Sequence, residues 1–71
     1  MPKLPRVSGT DVVRALGRLG FEVMRQSGSH VVMRRDAQGC VVPLHKELKA
    51  GTLAGVLRQA GVSSDLFMAK L

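Results

Sequence analysis

Gln26-Ser27-Gly28-Ser29-His30-Val31-Val32-Met33 decides how this chain folds. A small polar turn, Ser27-Gly28-Ser29, opens into an apolar run. Gly28 is free to take the positive φ that a tight hairpin requires, so the residues on either side read as two paired strands. Upstream, Phe21, Val23 and Arg25 alternate against Glu22, Met24 and Gln26, the period of a strand from Phe21 to Gln26. Downstream, His30 to Arg35 is a second strand. His30 stands at its start, with Arg25 before it and Arg34 and Arg35 after it. Imidazole is the common side chain whose unperturbed pKa, about 6.5, allows it to take and give a proton near neutrality. Two readings of the stretch are open. It is either a general acid/base among phosphate-binding cations, or a plain hairpin turn with a polar residue at a strand end.

Outward from the hairpin, Asp36-Ala37-Gln38-Gly39 has the composition of a turn and Cys40-Val41-Val42-Pro43-Leu44 that of a third strand. Pro43 has no N–H for a ladder, which puts that end at an edge or stops the strand there. Short turns between all three strands make an antiparallel meander. Toward the N-terminus, Ser8 is placed to cap a helix, with Asp11 three residues on as in a capping box. Val12, Val13, Leu16 and Leu19 give that helix, Thr10 to Leu19, one apolar face, and Gly20 ends it. Ahead of it, residues 1–7, with Pro2, Lys3, Pro5 and Arg6, form an extended arm.

After the third strand, His45 to Gly51 is a basic loop. Leu53, Val56, Leu57 and Ala60 then recur at helical spacing, so a second helix runs from Thr52 to Ala60 and Gly61 stops it. Ser63 or Ser64 caps a last short helix through Leu66, Phe67 and Met68. Two amphipathic helices need one sheet face to cover, which makes the fold a two-layer α+β sandwich in a single domain spanning 1–71. The expected covered face is Phe21, Val23, Val31, Met33, Cys40, Val42 and Leu44. Strand alternation leaves Met24, His30, Val32, Arg34 and Val41 on the open face. There Met24, Val32 and Val41 form an apolar patch among charges, the kind of surface that meets a partner.

Composition narrows the function. The chain has 71 residues, and a domain of this size buries only roughly 60% of its unfolded surface, so modest stability is expected. Eleven Lys and Arg against five Asp and Glu give a net charge of +6 and a pI near 10.9. Such a charge favours polyanions or an acidic partner. The lone Cys40 excludes an internal disulfide, and the spacing of His30, Cys40 and His45 matches no familiar metal site, so neither metal nor cofactor is expected. No apolar run approaches the roughly 18 residues of a membrane span and no signal core opens the chain, so a soluble cytoplasmic protein is expected, with no membrane association. There is no Trp or Tyr, and both Phe residues read as core. A nucleic acid, if that is the polyanion, would therefore be held through its phosphates, with weak sequence choice.

Ser8-Gly9 opening a helix, Gly20-Phe21 after it, Arg25-Gln26-Ser27-Gly28-Ser29-His30, Val42-Pro43-Leu44-His45, Lys49-Ala50-Gly51-Thr52-Leu53 and Gln59-Ala60-Gly61-Val62-Ser63 occur in this order. Together they resemble the HicA toxins of bacterial and archaeal HicA–HicB toxin–antitoxin pairs, from Leu4 to Phe67. The resemblance implies an α-β-β-β-α fold of the double-stranded-RNA-binding-domain type. It also implies metal-independent cleavage of mRNA, arrest of translation and growth, and inhibition by a HicB-like antitoxin. The family's catalytic histidine in Gly-Ser-His falls on His30. Members often place a second histidine or an aromatic residue next, whereas here Val31 follows.

Metal-free RNA cleavage needs a group to deprotonate the 2′-OH, one to protonate the leaving 5′-oxygen, and positive charge at the phosphate. His30 suits the proton transfer. Arg25, Arg34, Lys46 and Lys49 are candidate phosphate-binding cations, with Ser29 as a hydroxyl donor, although each also reads as a solvated surface or turn residue. His45 reads either as a second proton-transfer group or as part of the loop before the second helix. A ribonuclease toxin, a non-catalytic RNA-binding module of the same fold and a structural interaction domain all remain open here. The free protein is expected to be a monomer.

Overall fold

The structure, a computed structural model, describes residues 4–71. The elements run α1 (Gly9–Arg18), β1 (Glu22–Ser27), β2 (His30–Arg35), β3 (Gln38–Pro43), α2 (Ala50–Ala60) and α3 (Ser64–Ala69). The strands form one antiparallel sheet in the order β1-β2-β3. This is the expected α+β fold of the double-stranded-RNA-binding-domain type, with a three-stranded sheet, two main helices on one face and a short C-terminal helix. Residues 1–3 of the expected arm, including Lys3, lie outside the described residues.

Local chemistry explains each boundary. Ser8 caps α1 by accepting from the Asp11 N–H at 3.1 Å, while the Asp11 carboxylate accepts from the Ser8 N–H at 3.2 Å. At the other end the Gly20 N–H donates to Gly17 and the Phe21 N–H to Leu16, with Gly20 at φ 96°. That paired closure uses Phe21, so β1 begins one residue later than the alternation suggests. The same closure ends α2, where Gly61 has φ 69° and Val62 donates to Leu57. Asp36 accepts φ 52°, which Asp tolerates better than most residues, so the second hairpin turns in two residues and β3 starts at Gln38 rather than Cys40. The third strand therefore ends at Pro43, on a sheet edge. The start of α2 at Ala50, ahead of the expected Thr52, follows from the loop before it. Leu48 is buried and its N–H donates to the Val7 carbonyl at 2.8 Å, which leaves the chain free to coil directly after Lys49. Ser63 caps α3 by accepting from the Leu66 N–H.

The core joins Val12, Ala15 and Leu16 of α1 to Leu53, Val56, Leu57 and Ala60 of α2, with Phe67 of α3 completely enclosed. From the sheet it receives Val31, Met33, Cys40 and Val42, as expected from alternation, and Phe21 joins them just ahead of β1. Val23 departs from the expectation. It pairs with Met33 and so shares the covered face, yet it is 53% exposed. The helical layer explains this, because α2 packs against β3 at the opposite edge and β1 carries no buried residue. Leu44 is half-buried at the core's margin. Arg35 is held on the covered side, its guanidinium 4.7 Å above the Phe21 ring and donating to the Leu19 carbonyl at 2.7 Å.

The start of α1 presses on the end of β3. A Cβ at Gly9 would collide with the Pro43 carbonyl and come within 2.7 Å of the Leu44 Cα, main-chain atoms that cannot swing away. The Gly9 N–H donates to the His45 carbonyl at 2.9 Å across the same contact. Gly17 is the opposite case, with open space where its Cβ would stand. Gly9→Ala should lower the urea unfolding free energy by about 2 kcal/mol or more through overpacking. Gly17→Ala should raise it by roughly 0.5–1 kcal/mol through helix propensity.

Candidate functional site

Arg25, His30, Val32, Arg34, Val41 and Met24 lie on the sheet face that the helices leave uncovered, whereas Ser29 lies in the turn before β2 and His45, Lys46 and Lys49 in the loop after β3. The register is Ser27 opposite His30, Gln26 opposite Val31 and Arg25 opposite Val32, and then it slips, so that Val23 faces Met33 and Met24 is the extra residue of a β-bulge. A bulge adds one residue to one strand and re-aims the side chains beyond it. Simple alternation puts Arg25 on the same face as Val23. The bulge turns it instead to the open face with Val32, diagonal to His30 across the strand pair. Such neighbours lie roughly 7–8 Å apart at Cα, within reach of a long side chain.

Gly28 has φ 58° and begins the two-residue turn that delivers His30. His30 is exposed, paired with Ser27 on one side and with Pro43 on the other. Ser29 is exposed in the turn, and its carbonyl accepts from the Leu44 N–H at 2.6 Å. That bond ties the beginning of the basic loop to the His30 turn. Lys46 and Lys49 are exposed on this loop, and Arg6 pairs with Glu47 at 3.4 Å beside them. His45 is exposed, and its carbonyl anchors α1 through the Gly9 N–H. Arg34 shares the open face but lies four residues along β2 from His30, about 13 Å at a strand's rise of about 3.3 Å per residue. Its Nε donates to the Asp36 carbonyl at 3.0 Å.

The apolar residues of the face are arranged as expected. Val32 is half-buried opposite the exposed Val41, and Met24, 59% exposed, lines a shallow hollow with Glu22 and Arg34. Three further members of the surface escaped the sequence reading. Glu22 and Ser27 reach it through the register, and Gln59 closes the free edge of β3 by accepting from the Val41 N–H at 3.2 Å. The only hint of the bulge was an adjacent apolar pair, Val23-Met24, in an otherwise polar strand. Among the described residues, no three His, Cys, Asp or Glu side chains stand together as a metal site would need, and no helix is long and apolar enough to cross a membrane.

A family model, that of the HicA toxin of bacterial toxin–antitoxin systems, matches residues 9–62, well over half of the chain. The chain belongs to the HicA toxin family. It is thus the toxin component of a toxin–antitoxin pair, and the family implies an antitoxin partner. No curated protein matches the sequence. The matched span of this HicA-family toxin runs from the first residue of α1 to just past α2 and contains the whole open face.

Cys40 stands apart from this surface. It lies on the covered face, and burial pushes its thiol above the ordinary range by disfavouring the thiolate. A thiolate is the reactive form, so the folded protein should resist iodoacetamide at pH 8 and become fully alkylated in denaturing urea, as followed by mass spectrometry.

Proposed function

We propose that this toxin is an endoribonuclease that cleaves mRNA without a metal, with His30 as its general acid/base. The observation that carries this reading is the meeting of an exposed imidazole with the bulge-directed Arg25 and the tethered basic loop at one end of the open sheet face. RNA carries its own nucleophile. When the 2′-OH loses its proton, its oxygen attacks the adjacent phosphorus and the P–O5′ bond breaks. The products are a 2′,3′-cyclic phosphate and a 5′-hydroxyl, so protons are moved but no water is consumed in this step. His30 handles one of the two proton transfers, help that is typically worth about 10²–10⁴ in rate. The other falls to His45 or to water. Arg25, Lys46 and Lys49, with the Ser29 hydroxyl, hold the phosphate on which charge builds, while Arg34 holds a phosphate farther along the strand. The shallow, uncovered face suits a single strand lying along it, and the net charge of +6 draws RNA to it.

His30→Ala should abolish cleavage of an RNA oligonucleotide in excess EDTA and remove growth arrest on induction, with circular dichroism and thermal midpoint close to the parent. Near-parental cleavage would sink the assignment of His30. RNA retention without cleavage by the parent itself would leave an RNA-binding module instead.

The antitoxin, in this reading a HicB-like protein, binds the free monomer by covering the same face. Met24, Val32 and Val41 supply apolar area, and the surrounding cations steer an acidic partner. One binding event then hides His30 and stabilises the toxin by mass action. Val32→Glu places a carboxylate on the patch opposite Arg25 without touching His30. It should weaken antitoxin binding by at least about tenfold in calorimetry and leave the fold intact. Unchanged affinity, with His30 still modified by diethylpyrocarbonate in the complex, would place inhibition on another surface.

A further inference from the structure

The turn that carries His30 is held by more than its strand pairing. Gly28 takes φ 58° and Ser29 does not take a positive φ, the pattern of a type II′ hairpin turn. The other common two-residue turn, type I′, differs chiefly in the orientation of the peptide between Gly28 and Ser29. Gly28 has open space where a Cβ would stand, so no steric stop fixes that peptide. A side chain fixes it instead. Gln26 pairs with the buried Val31, and residues opposite each other share a face, so Gln26 stands on the side away from His30. From there its Nε2 donates to the Gly28 carbonyl at 3.2 Å. A trans peptide points its N–H opposite to its carbonyl. With the Gly28 carbonyl drawn to the covered side, the Ser29 N–H is turned to the open side, beside the imidazole. Among the described residues it donates to no group, whereas the Ser29 carbonyl is occupied by the Leu44 N–H.

We propose that the Ser29 main-chain N–H is the oxyanion donor of the His30 site, and that Gln26 is the positioning residue that aims it. The proposal rests on the ribonuclease reading above and adds to it a catalytic group that is no side chain. When the 2′-oxygen attacks phosphorus, negative charge builds on the non-bridging oxygens. A main-chain N–H already aimed at one of them stabilises that charge without reorganising during the step. It keeps its proton throughout, so the proton transfers of His30 are unaffected. The hydrogen bond to a charged oxygen is also stronger than one to a neutral group. If the Gly28–Ser29 peptide flips, the site meets a carbonyl oxygen in place of the N–H and repels the phosphate. Gln26 opposes that flip from the far side of the sheet, and the positive φ that the flipped turn asks of Ser29 opposes it as well.

Substitutions on both sides of the peptide test this without touching His30. Ser29→Pro removes the hydroxyl and the N–H, and proline's φ suits the second position of a type II′ turn. Ser29→Ala removes the hydroxyl alone, so the difference between the two variants isolates the N–H. Protection of the Leu44 amide from hydrogen exchange reports whether the turn keeps its shape. Cleavage of an RNA oligonucleotide in excess EDTA should show kcat for Ser29→Pro roughly hundredfold below Ser29→Ala, the lower end for a lost oxyanion donor. Gln26→Met keeps the length of the side chain without the donor and should lower kcat roughly fivefold, about one hydrogen bond, with KM unchanged. Gln26→Lys can donate to the same carbonyl and should restore kcat. Inorganic phosphate titrated into the parent should shift the Ser29 amide in NMR, and shift it less in Gln26→Met. Equal kcat for Ser29→Pro and Ser29→Ala overturns the donor and leaves the ribonuclease reading standing. If Ser29→Pro loses the Leu44 protection, Gln26→Met decides alone, and parental kcat in that variant overturns the proposal. A parent that cleaves no RNA but whose Ser29 amide follows phosphate through Gln26 keeps the donor while the cleavage reading falls. No cleavage together with no shift overturns both.

Discussion

The close approach of the first turn of α1 to the end of β3 is the constraint on which the functional surface depends. Only glycine at position 9 lets the helix rest on the Pro43-Leu44 main chain, and the Gly9 N–H then binds the His45 carbonyl. Two further main-chain bonds close around the same point, Leu48 to Val7 and Leu44 to Ser29. Together they tether the N-terminal segment, the basic loop and the His30 turn to one end of the sheet. A loop of this composition would ordinarily wander, since its charged side chains gain little from packing. Here its backbone is pinned at three places, at Leu44, His45 and Leu48.

The second determinant is the single-residue bulge in β1. Without it, strand alternation would turn Arg25 toward the helices, where a guanidinium would face the rim of the core. With it, Arg25 joins the imidazole on the exposed face while Val23 keeps its place opposite Met33. The two arginines that follow His30 divide in the same way. Arg34 faces solvent, and Arg35 is spent on the Phe21 ring and the Leu19 carbonyl, bracing the end of α1 against the sheet. Neighbouring residues of like charge thus have opposite placements, one on the exposed face and one bracing the fold, decided by the parity of the strand.

Much of this was legible in the residues. The positive φ at Gly28, the limits of β2, the capping box at Ser8 and the helix ends at Gly20 and Gly61 follow from local chemistry that tertiary structure had no reason to override, although Ser27, read as part of the turn, pairs with His30 as the last residue of β1. The placement of Val32 and Val41 on the open face followed from alternation in β2 and β3, whose pairing is regular. What was not legible depends on contacts between distant segments. The bulge is a property of the β1–β2 register, the exposure of Val23 reflects how far the helices reach, and the early start of α2 depends on Val7 receiving Leu48. Gln59 reads as a polar helix residue until β3 is seen to need an acceptor at its edge. Alternation and propensity describe one segment at a time, so each of these was invisible to them.

The distribution of polarity has a consequence for how such a toxin is controlled. Among the described residues no polar or charged residue is buried, so the core itself is held by apolar packing, with side-chain caps and the Arg35 and Gln59 contacts confined to its margins. The groups assigned to RNA are all on the surface and contribute little to stability. A change that removes the chemistry therefore leaves the shape, and the apolar patch among the cations, for a partner to bind. The reverse also holds. In the proposed reading, a partner that buries Val32 and Val41 also covers Arg25 and His30, because the register sets Arg25 opposite Val32 and His30 two residues along the same strand. Inhibition then needs no change of conformation in the toxin. On that reading it follows from the geometry of a three-stranded sheet too narrow to separate the proposed partner surface from the proposed cleavage site.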